Sequence, residues 1–200
     1  DGMYSYVLSL IGAEVSGQDL DPNRMNLANQ RDYGIIQEHK GKFVCADASK
    51  LRFESNSFDC VISADFIEHI DLNIKRKVLK EIYRILRPGG VLVIKTPNLN
   101  YLQIVINIKR VLRILSGKLG RIYIANTNNN PDNEHHGLTT YEELRQELEA
   151  LFFHKPIFHH QLIQRDRLPN KLADLLFMLR RVSLSPDIII STQKSIFIGI

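Results

Sequence analysis

Only two cysteines, Cys45 and Cys60, occur in 200 residues. Two are too few for a disulfide framework, so a reducing, cytoplasmic setting is expected. No apolar run approaches the roughly 20 residues that span a bilayer, and the opening residues lack a signal-peptide pattern. No internal repeat is visible. Acid is missing where base is dense: Lys109, Arg110, Arg113, Lys118 and Arg121 form a run with no carboxylate among them. Residues 1–100 carry 13 basic and 13 acidic side chains and residues 101–200 carry 13 and 9, so the net charge of +4 belongs to the second half. Such a run reads first as a solvated helix face. Its functional reading is contact with an anionic substrate, RNA or a lipid surface, which would place the protein peripherally on the inner membrane face.

What is present is a chain 44% apolar, enough for one globular domain with a real core. Strand-like and helix-like segments alternate. Residues 3–11 read as a helix and 13–19 as a strand. Asp21-Pro22 is a helix start, with Asp21 as N-cap and Pro22 at the first helical position, and Gly34 ends that helix after about Tyr33. Strands follow at 43–47 and 58–64. Residues 73–86 place Ile74, Val78, Ile82, Ile85 and Leu86 on one face of a helix. Pro88-Gly89-Gly90 breaks it, and 91–95 is a continuous apolar strand. Beyond come an apolar-basic helix at 101–116, an asparagine-rich loop, and a capping box at Thr140–Glu143 opening a helix to about Leu151. Strands at 155–163 and 187–193 flank a second basic helix at 168–182. Alternation with continuous apolar strands predicts a doubly wound, mostly parallel α/β sheet. We divide the single domain of residues 1–200 into a ligand-binding half, 1–97, and a substrate-side half, 98–200.

In such folds ligands sit at the carboxyl ends of strands. Asp19 ends the strand at 13–19, where a carboxylate can accept both hydroxyls of a ribose. Asp47-Ala48 ends the next, where an acid can accept from an adenine amino group. An acid placed like Asp19 also suits a nicotinamide cofactor, and a further reading is a helix-capping or solvated carboxylate.

The combination GQDLDP, FVCADA, NSFDCVIS and LRPGG resembles the class I S-adenosylmethionine-dependent methyltransferases, particularly the branch holding small-molecule and RNA O-methyltransferases. The likeness covers nearly all of residues 1–100 and, more loosely, 134–153. It implies a Rossmann-like sheet and S-adenosylmethionine as cofactor. It also implies Asp19 and Leu20 at the ribose, Asp47 and Ala48 at the adenine, and Ala64 beside the methionine part. Asp1-Gly2 is similar to the tail of the family's glycine-rich loop. The first strand of the family, expected between those at 13–19 and 58–64, would precede Asp1, so the chain reads as N-terminally truncated.

Asp65, Glu68 and His69 stand at i, i+3 and i+4 and would share a face of a helical turn. With His135 they resemble the ligand set of metal-assisted members of the family, which implies Mg²⁺ or another divalent ion. Without metal, His69 or His135 is the candidate general base. The activity implied is methyl transfer to a hydroxyl oxygen of a small molecule. RNA and lipid-linked glycans are further acceptor classes. The rival readings are a nicotinamide-dependent dehydrogenase and a non-catalytic domain used for membrane or partner attachment.

Overall fold

The computed structural model describes residues 3–30, 43–117, 137–159 and 187–195. They belong to two compact units, residues 1–53 and 54–200.

The first unit runs α1 (Met3–Leu10), β1 (Gly17–Asp19), α2 (Pro22–Gln30) and β2 (Phe43–Cys45). β1 and β2 are parallel, with Asp19 opposite Cys45. Gly17 is required by packing, because a Cβ there would lie 2.6 Å from the Phe43 ring. Asp21 caps α2 as the sequence predicts: its Oδ1 accepts from Asn23 N at 2.8 Å. Met25 and Ala28, three residues apart, are the buried stripe of that helix.

The second unit holds β3 (Phe58–Ala64), a single 3₁₀ turn (Ile67–His69), α3 (Leu72–Ile85), β4 (Leu86–Pro97), α4 (Leu99–Leu115), α5 (Tyr141–Ala150), β5 (Phe153–His159) and β6 (Asp187–Lys194). The sheet order is β3-β4-β6-β5. β3 and β4 are parallel, whereas β6 runs antiparallel to both of its neighbours. Among the described residues β1 pairs with β2 and β3 with β4, while β1 and β3 are not paired with each other, which is the gap expected between the strands at 13–19 and 58–64. The predicted helix at 168–182 lies outside the described residues.

α3 starts at Asp71, whose Oδ1 accepts from Asn73 N at 2.8 Å and Ile74 N at 3.0 Å. Its buried face is Lys75, Val78, Leu79, Ile82 and Ile85. Ile74, expected on that face, is exposed, and Leu86 is already in the strand. The Pro-Gly-Gly breaker lies inside β4, not before it. There it forms a bulge: pairing jumps from Phe58 opposite Leu86 to Cys60 opposite Val91. Gly89 has φ +78°, which an L side chain rarely adopts.

Along β4 the side chains of Leu86, Leu92, Ile94 and Thr96 are fully buried, and the alternate positions are half-buried. β6 answers with Ile188, Ile190 and Thr192. The capping box forms as read: Glu143 N donates to Thr140 Oγ1 at 3.2 Å, and Thr140 N to Glu143 Oε2 at 2.9 Å. It aims Leu144 and Leu148 inward, both completely buried.

Leu92→Ala is expected to cost about 2–5 kcal/mol, and Thr140→Ala about 1 kcal/mol. Urea denaturation midpoints check both, and a Leu92→Ala loss no larger than that of Thr140→Ala would contradict the central place of β4.

Candidate functional site

In the first unit, β1 ends on Asp19 and β2 leads to Asp47. The parallel pairing brings the two turns together. Ala46 N donates to Asp19 O at 3.0 Å, and the Cys45 thiol lies 3.4 Å from Leu20 O. Asp19, Leu20, Asp47 and Ala48 therefore cluster at the carboxyl ends of adjacent strands, where ligands bind in such sheets. Asp19 Oδ1 accepts from Asp21 N at 2.9 Å, which fixes the carboxylate at the strand end. Its Oδ2 meets Arg24 only at 3.8 Å, and that arginine is largely exposed. Asp47 is held the same way, its Oδ1 accepting from Ser49 N at 2.8 Å. Each strand end thus carries a carboxylate fixed by a backbone N–H two residues on. Asp1 and Gly2 lie outside the described residues.

In the second unit, Ala64 closes β3 opposite Lys95. Asp65 follows with φ +50°, a left-handed conformation that takes it out of phase with the next turn. That turn is one 3₁₀ turn, not an α-helix. The i, i+3, i+4 geometry behind the metal reading therefore does not form. Asp65 turns to Lys95, whose Nζ lies 2.7 and 2.8 Å from its two oxygens. Glu68 points into the core, 1% exposed, and its Oε2 accepts from Thr96 Oγ1 at 3.0 Å. His69 is exposed. Among the described residues no three of His, Cys, Asp and Glu come together as a metal-holding group. His135 lies outside the described residues.

The structure adds groups that the sequence did not mark. Lys95 also lies 4.0 Å from Asp187 Oδ2, across the β4–β6 pair, so one ammonium stands between two carboxylates. Burial raises the Asp187 carboxyl above its usual range; Lys95 opposes this and Asp65 adds to it. Burial, then Asp187, raises the phenol of Tyr101 in the first turns of α4, so it is a proton donor at neutral pH. The hint in the sequence was Lys95 itself, a charge closing the apolar run VLVI. Its partner Asp187 is 92 positions later and carries no local signal.

A buried polar lock lies beneath. Lys75, 4% exposed, donates from Nζ to Gly137 O at 2.5 Å. Gly137 N donates to Glu68 O at 2.8 Å. A Cβ at Gly137 would collide with the carbonyl oxygens of Ile67 and Ile70, so only glycine fits. Burial lowers the Lys75 ammonium below its ordinary value, with Glu143, Glu147 and Glu68 pulling it back up. The folded state thus holds this proton less tightly than the unfolded chain. Between the depressed folded value and the ordinary 10.5, stability from this group rises with pH. Lys75→Met should abolish that part of the rise and cost about 1–3 kcal/mol at neutral pH through the orphaned Gly137 carbonyl. Denaturation of both proteins across pH 7–10.5 checks it; parallel profiles would contradict it.

The family described as "Methyltransferase domain" matches residues 1–94. The chain is 34% identical over 82 residues to a sterol 4-C-methyltransferase of Caenorhabditis elegans, covering 40% of this chain and 23% of that protein. It is 37% identical over 95 residues to a chloroplastic tocopherol O-methyltransferase of Arabidopsis thaliana, covering 48% and 27%. The chain thus spans about a quarter of the length of these relatives. A solved SAM-dependent methyltransferase from Methanosarcina mazei superposes with a TM-score of 0.64 at 20% identity, over 98% of this chain and 89% of that one. The family match covers residues 1–94, so this half of the chain is similar to that methyltransferase family, and the superposition shows a Rossmann-like α/β fold.

Proposed function

We propose that this protein transfers a methyl group from S-adenosylmethionine to a small molecule, at a hydroxyl oxygen. The observation that carries the cofactor reading is the parallel pair of strands that brings Asp19 and Asp47 to adjacent strand ends, with the Asp19 carboxylate pinned by Asp21 N. In this reading Asp19 and Leu20 hold the ribose, Asp47 and Ala48 the adenine, and Ala64, with Asp1-Gly2, the methionine part. The cofactor supplies a methyl on a positively charged sulfur, already activated for transfer.

What remains for the chain is orientation and a proton. The acceptor oxygen forms its bond to the methyl carbon as the carbon–sulfur bond breaks, and that electron pair stays on sulfur. The hydroxyl proton passes to a base, for which His69, exposed on the turn after β3, is the candidate. His135 is the alternative base. Tyr101 and the Asp65–Lys95–Asp187 group supply donors and acceptors at the ends of β3 and β4 to orient the acceptor in line. Relatives named for O- and for C-methylation both match this chain, so the oxygen assignment rests on the polar character of this end of the sheet.

Calorimetric titration of the whole protein with S-adenosylmethionine tests the cofactor half. Asp19→Ala should weaken binding by about 1.5–3 kcal/mol while leaving the protein folded. Unchanged affinity would refute the assignment. Once an acceptor is found, His69→Ala should lower kcat by roughly 10²–10⁴ with KM little altered; an unaltered kcat would remove His69 from the proton path.

A further inference from the structure

The second half of α4 has an unusual surface. Residues 110–117 are all exposed. Four carry large apolar side chains: Val111 is 55% exposed, Leu112 56%, Ile114 69% and Leu115 78%. At 100° per residue these four fall on one sector of the helix, continuing the half-buried Ile104 and Ile108. Arg110 and Arg113 lie on the opposite side, also exposed. The first half of the helix is instead anchored, with Asn98 capping it and Leu102 N donating to Asn98 O at 3.1 Å. The apolar sector therefore projects from a fixed base.

The sequence around it carries charge of one sign: Lys109, Arg110, Arg113, Lys118 and Arg121 form a run with no Asp or Glu among them. The surface calls for a partner that is both apolar and anionic. RNA would pair with the arginines but leave four branched side chains in water. A second copy of this chain seated on the same face would bring like charges together. An anionic bilayer surface satisfies both demands at once, with acyl chains for the apolar sector and lipid phosphates for the guanidinium groups. Among the described residues no helix is long and apolar enough to cross a membrane, so this one would lie in the interface plane.

We propose that the second half of α4 docks on an anionic lipid surface, with Val111, Leu112, Ile114 and Leu115 entering the interfacial layer and Arg110 and Arg113 at the phosphates. This surface stands independently of the reaction assigned above.

Co-sedimentation of the whole protein with phosphatidylcholine vesicles, with and without phosphatidylserine, tests it. Binding should require phosphatidylserine and weaken as salt rises. Arg110→Ala/Arg113→Ala should lower partitioning about thirtyfold, equivalent to roughly 1 kcal/mol per charge. Leu112→Gln/Leu115→Gln should lower it as well, with thermal unfolding unchanged in both variants. Wild-type protein that ignores both kinds of vesicle overturns the proposal. So does binding that is indifferent to phosphatidylserine and to the arginines. A wild-type dimer that the leucine variant dissolves would make a second copy the occupant, and an RNA complex insensitive to the leucine variant would make it nucleic acid; either result overturns the lipid assignment.

Discussion

The second unit depends on the pairing of one strand. β4 is hydrogen-bonded along both edges, parallel to β3 and antiparallel to β6. Backbone groups so deep in a core must be paired, and here the two neighbours do it. The register then decides which side chains meet. Ala64 stands opposite Lys95, which carries Asp65 to within reach of the lysine from one side. Pro97 stands opposite Asp187, two positions before the Ile189 that faces Lys95, which brings the second carboxylate from the other. A single-residue slip in either pairing would turn Lys95 to the opposite face and dissolve the group. The Pro-Gly-Gly bulge absorbs the mismatch between the start of β4 and β3, so that the pairing is in step where the chemistry is proposed.

Beneath that end of the sheet, polar groups are buried with their partners. Glu68 accepts from Thr96, Lys75 reaches Gly137, and Gly137 returns a hydrogen bond to Glu68 O. A buried charge is costly unless hydrogen-bonded, and such arrangements hold a backbone in one position more than they add net stability. What they hold is the turn after β3 against the chain entering α5. His69 is thus carried on a turn whose backbone is locked from below while its own side chain faces outward.

Asp19 shows a similar economy. Its carboxylate stops β1, receives the N–H of Asp21, and leaves the second oxygen outward. Asp21 then starts α2. Two acids two residues apart do different work because one ends a strand and the other begins a helix. α4 divides its roles in the same manner: a capped, largely half-buried first half, and an exposed apolar-basic second half.

Much of this was legible in the residues. The strand at 58–64, the helix start at Asp21-Pro22 and the capping box at Thr140–Glu143 follow from local chemistry, in which the deciding groups lie within four residues of each other. So does the family likeness, carried by short segments around strand ends. What the sequence could not determine was whatever depends on partners far along the chain. The spacing of Asp65, Glu68 and His69 suits one face of an α-helix; the left-handed Asp65 and a 3₁₀ turn send them three ways. Glu68 became a core residue because Thr96, 28 positions later, offered it a hydroxyl. Lys75 was buried because Gly137 supplied a carbonyl from 62 positions away. Asp187 joined Lys95 only through an antiparallel register that no local pattern encodes. Spacing determines which side chains share an element, but the pairing of strands and the satisfaction of buried polar groups decide which of them meet, and those are settled by tertiary structure alone.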